Sequence, residues 1–118
     1  MLEKKNILIV DDEERIRAIY IRMLGEAGFT VLGASNAQEA TGILIREKID
    51  TVLLDINMPE IDGKTVYEII QEYDPDLKVI VSSVYPLHVQ KTMIPHAYAY
   101  HDKSHGPASL LDKVFSLN

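Results

Sequence analysis

Ile7-Leu8-Ile9-Val10 is an unbroken apolar run that stops at Asp11 and Asp12. Thr51-Val52-Leu53-Leu54 stops in the same way at Asp55, and Lys78-Val79-Ile80-Val81 stops at Ser82 and Ser83. Short continuous runs rich in β-branched residues mark strands buried on both faces, as in a parallel sheet. Thr30-Val31-Leu32-Gly33-Ala34 and Ala97-Tyr98-Ala99-Tyr100 are weaker runs of strand character, so five strands are expected.

Helical periodicity fills the intervals. From Glu14 the apolar positions Ile16, Ile19, Tyr20, Met23, Leu24 and Ala27 fall on one helical face, and Gly28 supplies a C-terminal stop. Asn36-Ala37-Gln38-Glu39 reads as a capping box that opens a second helix through Ala40, Ile43 and Leu44 to about Lys48. Val66, Ile69, Ile70 and Tyr73 mark a third, closed by Asp74-Pro75, and Pro107 opens a last one carrying Leu110, Leu111 and Val114. Between Pro86 and Ile94 the positions Leu87, Val89, Met93 and Ile94 match a helical face only in part, which predicts a short fourth helix. Strict alternation of strand and helix implies a parallel sheet with helices on both faces.

Length and composition narrow the class. The 118 residues make one domain, 1–118, and a hydrophobic fraction of 47% beside 25% charged residues suits a globular core rather than a disordered chain. Twelve Lys and Arg against 18 Asp and Glu leave a net charge of −6, which argues against direct nucleic-acid binding and against acidic membrane surfaces. There is no cysteine, no signal-like start and no apolar run long enough to span a bilayer, so a cytoplasmic location is expected. The four histidines, His88, His96, His101 and His105, match no compact ligand spacing and are expected to be exposed.

The chemistry-bearing residues sit at strand ends. Asp11 and Asp12 follow the first strand, Asp55 the third, Ser82 and Ser83 the fourth, and Lys103 the fifth. In an open parallel sheet all of them meet beyond the carboxyl edge, where ligands bind. Three crowded carboxylates repel one another, and a hard divalent ion with oxygen ligands resolves the conflict. The set predicts Mg²⁺-assisted phosphoryl chemistry, with a carboxylate as nucleophile and the Lys103 ammonium offsetting charge on the transferring oxygens. Taken singly, each residue has a plainer explanation. Aspartate after a strand commonly caps a helix or starts a turn, and a lysine before a helix is usually solvated.

Four segments in order carry a resemblance. They are Ile7-Leu8-Ile9-Val10-Asp11-Asp12-Glu13, Val52-Leu53-Leu54-Asp55-Ile56-Asn57-Met58-Pro59-Glu60-Ile61-Asp62-Gly63, Val79-Ile80-Val81-Ser82-Ser83 and Tyr98-Ala99-Tyr100-His101-Asp102-Lys103. Over essentially its full length the chain resembles the receiver domain of two-component response regulators, similar to the chemotaxis and sporulation phosphorelay types. The resemblance implies a flavodoxin-like (βα)5 three-layer sandwich with strand order 2-1-3-4-5. It implies that Asp55 is the phosphoacceptor for a phosphohistidine of a histidine kinase or phosphotransfer protein. Asp12 would ligate Mg²⁺ directly, Asp11 through water, and Asn57 through its backbone carbonyl. Ser83 would turn its hydroxyl toward the phosphoryl group, Lys103 would pair with that group, and Tyr100 would rotate inward as the hydroxyl moves.

Departures from the family pattern are also visible. Ser104 follows Lys103, where a proline after a cis bond is usual; a cis bond before a non-proline costs about 3 kcal/mol, so this peptide is trans or strained. Val84 stands beside the switch hydroxyl where smaller residues are usual. The stretch from Ser83 to Tyr100 is short and bracketed by Pro86 and Pro95, so the fourth helix should be truncated or irregular and the output surface atypical. Gly63 fits a turn position with positive φ, and Met58-Pro59 shapes the loop beyond Asp55. Tyr98 is expected to pack in the core.

The expected role is a phosphorylatable switch rather than a turnover enzyme, working as a monomer or weak homodimer, with any output function in another chain or segment. Two rivals remain. One is an aspartyl-phosphate hydrolase, disfavoured by Asn57 where a second aspartate is wanted; the other is a receiver-like binding module that never takes phosphate.

Overall fold

Residues 5–57 and 63–117, as described by a computed structural model, form five parallel strands in the order β2-β1-β3-β4-β5. The strands are β1 (Asn6–Val10), β2 (Thr30–Ala34), β3 (Thr51–Asp55), β4 (Lys78–Ser83) and β5 (Ala99–Asp102). Alternating with them are α1 (Glu14–Glu26), α2 (Ala37–Arg46), α3 (Gly63–Tyr73), α4 (Leu87–Met93) and α5 (Pro107–Phe115), and a 3-10 turn over Lys103–His105 joins β5 to α5. The part of the acceptor motif from Met58 to Asp62 lies outside the described residues.

The apolar runs are continuous because β1, β3 and β4 are covered on both faces. Successive side chains on a strand point to opposite sides. Leu8, Val10, Val52, Leu54, Val79 and Val81 therefore pack with Ala40, Leu44, Val66 and Ile70 from α2 and α3. Ile7, Ile9, Leu53 and Ile80 pack on the other face with Tyr20 and Leu24 of α1 and Leu110 and Val114 of α5. The alternation continues past the apolar residues, and so sorts the polar ones at the strand ends onto the same two faces.

Helix ends follow the local chemistry. Gly28 stops α1 with φ of 104°, and the Phe29 N–H donates back to the Leu24 carbonyl. The Asn36 side chain caps α2 by accepting from the Glu39 N–H at 2.8 Å. The box closes one residue earlier than expected, because the Glu39 carboxylate accepts from the N–H and hydroxyl of Ser35. Pro107 opens α5 from its first turn. The fourth helix is short, as the flanking prolines predict: α4 has 7 residues, directly after Pro86.

Three expectations need correction. The last strand is Ala99–Asp102 rather than Ala97–Tyr100, and Tyr98, which precedes it, is 56% exposed with the Lys78 ammonium 5.2 Å from its ring centre. Ile19, Ile69 and Tyr73 match the helical periodicity yet are exposed, because α1 and α3 bury a narrower stripe than their sequences offer. Gly63 has no positive φ; it begins α3 where a Cβ would lie 2.4 Å from the Ile56 Cα, so glycine is needed for close approach.

Candidate active site

The sheet order reverses at β1, which lies between β2 and β3, and open α/β sheets bind ligands at such a point. Asp11 and Asp12 leave β1 there and Asp55 ends β3 beside them. Asp11 Oδ1 accepts from the Glu13 N–H at 2.9 Å, and Asp55 Oδ1 accepts from the Asn57 N–H at 2.9 Å. Each carboxylate is thus fixed by its own turn, with its second oxygen facing the shared space. Into that space comes Lys103, whose Nζ donates to Asp11 Oδ2 at 2.8 Å and to Asp55 Oδ2 at 3.3 Å. All three side chains are nearly removed from solvent. Asp12 is exposed, and one carboxylate oxygen from each of Asp11, Asp12 and Asp55 can be chosen so that all lie within 4.8 Å of one another.

Ionisation here is strained. Burial, reinforced by the Asp11 charge, raises Asp55 to about 6 against the opposing pull of the Asn57 N–H and the Lys103 ammonium. Burial alone would lower Lys103, but its hydrogen bond to Asp11 and the charges of Asp55 and Asp11 outweigh it, and its pKa is raised. One ammonium is shared by two buried carboxylates with a third beside them. A further cation at this spot would relieve the crowding, and the all-oxygen donor set suits a hard divalent ion.

The switch candidates lie on the opposite face of the sheet. Ser83 is fully buried, and its hydroxyl accepts from the Tyr85 N–H at 3.1 Å. Tyr100 is half-buried; its hydroxyl donates to the Ile94 carbonyl and accepts from the Ala97 N–H at 3.2 Å. Both are therefore engaged with backbone of the β4–α4 and α4–β5 connections. Val84 is exposed. The Lys103–Ser104 peptide is trans.

Two buried polar residues escaped the sequence reading. His88, His96 and His105 are exposed as expected, but His101 has no exposed surface and bonds Ser82 and the Gly106 carbonyl, each at 3.0 Å. Gln90 of α4 is also fully buried, and its amide donates to the Tyr85 carbonyl at 2.7 Å and the His101 carbonyl at 2.9 Å. It ties the short α4 to both β4–α4 backbone and β5. Neither carries a sequence signal that loop residues lack, since His101 is followed by Asp102-Lys103 and Gln90 by Lys91.

The chain belongs to the response regulator receiver domain family, whose family model matches residues 7–115. It is 33% identical over 85 residues to sporulation initiation phosphotransferase F of Bacillus subtilis, a match covering 72% of this chain and 68% of that protein. It is 42% identical over 83 residues to protein-glutamate methylesterase/protein-glutamine glutaminase 1 of Paramagnetospirillum magneticum; that match covers 69% of this chain and spans only 22% of the relative's length. Among solved structures it is similar to response regulator protein TrrA of Thermotoga maritima in complex with Mg²⁺ and BeF, with 34% identity, a TM-score of 0.86, and coverage of 97% of this chain and 99% of that one. TrrA has also been solved in complex with the histidine kinase ThkA, and that copy likewise matches with a TM-score of 0.86. Among the described residues no helix is long and apolar enough to cross a membrane.

Proposed function

We propose that Asp55 accepts a phosphoryl group from the phosphohistidine of a histidine kinase or phosphotransfer protein, and that the adduct switches the surface of this cytoplasmic domain. The carrying observation is the Asp55 carboxylate itself, buried, held through Oδ1 by the Asn57 N–H, and with Oδ2 3.3 Å from the Lys103 ammonium. An Asp55 carboxylate oxygen attacks phosphorus, the P–N bond breaks, and the imidazole leaves with the bonding pair and takes up a proton. Lys103 stands where negative charge gathers on the transferring oxygens. Asp11, Asp12, Asp55 and the Asn57 carbonyl would hold Mg²⁺, which supplies charge neutralisation for the carboxylates and the phosphoryl oxygens.

The adduct then competes for nearby donors. A phosphoryl group presents strong acceptor oxygens, for which the Ser83 hydroxyl would exchange its contact with the Tyr85 N–H. Tyr100 would follow by leaving the Ile94 carbonyl, freeing the backbone it holds. The complex of the similar TrrA with a histidine kinase supports the choice of donor.

Acetyl phosphate with Mg²⁺, followed by intact mass measurement of wild type and Asp55→Asn, tests the reading. One hydroxylamine-labile phosphoryl group on wild type alone is the expected result. No adduct would favour the phosphate-independent binding module, and sustained turnover of a phosphate ester would favour the hydrolase; either overturns the proposal.

A further inference from the structure

The face of the sheet covered by α1 and α5 is apolar through Ile9, Leu53 and Ile80. At its carboxyl end it turns polar, along a row that register places side by side: Asp55 of β3, Ser82 of β4 and His101 of β5. His101 is fully buried in that row, and the ring of Tyr20 from α1 meets its imidazole edge-on with centroids 6.5 Å apart.

The partners of His101 fix its protonation pattern. A carbonyl only accepts, so Nε2 carries the proton given to Gly106 at 3.0 Å. In the neutral ring Nδ1 must then accept, and the Ser82 hydroxyl donates to it at 3.0 Å. Burial lowers the His101 pKa, which agrees with the neutral form. The result is a directed chain, Ser82 to His101 to Gly106, that begins at the end of β4 and ends on the glycine opening α5.

Lys103 lies inside the span this chain closes. The bond from His101 to Gly106 bridges the turn Lys103–His105, and Gly106 meets it with a φ of 87°. Within the span the Asp102 carboxylate accepts from the Ser104 N–H at 2.9 Å and from its hydroxyl at 2.7 Å. No proline follows Lys103, so hydrogen bonds rather than a ring set the path of this loop.

We infer that His101 is a positioning residue for Lys103: by joining Ser82 beside the acceptor to Gly106 beyond the turn, it holds the ammonium between Asp11 and Asp55. The functional readout rests on Asp55 being the acceptor; the spectroscopic one does not. A histidine that merely filled the core would affect stability without acting through Lys103.

The test compares full-length wild type, His101→Leu, His101→Gln and Ser82→Ala, each also in a Lys103→Ala background. With acetyl phosphate and Mg²⁺, His101→Leu should lower the rate of adduct formation about tenfold, since small misplacement of a reacting group costs that much or more. Gln places an amide N–H within reach of the Gly106 carbonyl and should recover most of the rate. In the Lys103→Ala background His101→Leu should have no further effect. Independently of phosphorylation, the ¹⁵N ammonium resonance of Lys103, protected in wild type by its two carboxylates, should be lost or broadened in His101→Leu and kept in His101→Gln. If Leu prevents folding, Ser82→Ala carries the same tests by removing one link. An equal loss of rate in both backgrounds, or a folded variant with wild-type rate and ammonium signal, overturns the inference. A wild type that takes no phosphoryl group refutes the acceptor reading instead, and the ammonium signal then decides this one.

Discussion

Replacing Asp55 with Asn should stabilise the protein in the absence of metal, and the gain should depend on pH in a way fixed by the site. The pKa of Asp55 is raised from 3.8 to about 6. Between those values the native state keeps a proton that the unfolded chain has released, so stability falls as pH rises through the window. A shift of about 2 units corresponds to about 3 kcal/mol once pH is above 6. Asn resembles the protonated acid: its oxygen still accepts from the Asn57 N–H, and Lys103 keeps Asp11 at 2.8 Å. The advantage of Asp55→Asn should therefore approach about 3 kcal/mol at pH 8 and nearly vanish by pH 4. Urea unfolding in EDTA at the two pH values measures it as a change in midpoint at constant slope. Mg²⁺ should stabilise wild type more than the variant. A variant no more stable than wild type at pH 8, or equally advantaged at both pH values, would refute the argument that burial strains this carboxylate.

Three other substitutions probe separate parts of the account. Lys103→Ala leaves Asp11 and Asp55 facing one another in a buried site and should cost about 3 kcal/mol at pH 8, less below pH 5 where Asp55 is protonated, by the same urea assay. Gly63→Ala drives a methyl against the Ile56 Cα; about 2 kcal/mol of lost stability is expected, with slower adduct formation because Ile56 adjoins Asp55. Tyr100→Phe removes the acceptor of the Ala97 N–H and the donor to the Ile94 carbonyl, so hydrogen exchange at Ala97 should accelerate with about 1–2 kcal/mol lost. Unchanged exchange there would remove Tyr100 from the α4–β5 connection.

The central strands and the acidic pocket were legible because their signals are local. An apolar run that ends in aspartate reports both a buried strand and a carboxylate at its carboxyl edge, and Asp11 and Asp55 stand where that logic puts them. The last strand lies two residues later than expected because Ala97-Tyr98-Ala99-Tyr100 carries a weak strand pattern, whereas His101 and Asp102 look like loop residues. Their partners, Ser82, Gly106 and Ser104, make the buried positions affordable, and two of those bonds span distant or irregular backbone that no periodicity reveals. Gln90 was invisible for the same reason: what buries it is backbone from β5 and the β4–α4 connection. Gly63 was recognised as special on the wrong ground, since a close approach between α3 and Ile56 leaves no trace in the residues nearby.

Everything proposed for this pocket depends on one of its carboxylates becoming an acyl phosphate. Borohydride reduces an aspartyl phosphate to homoserine, so treatment after incubation with acetyl phosphate and Mg²⁺, followed by peptide sequencing in the mass spectrometer, marks the acceptor directly. Homoserine is expected at position 55 and at no other aspartate. Homoserine at Asp11 or Asp12, or none anywhere, would contradict it.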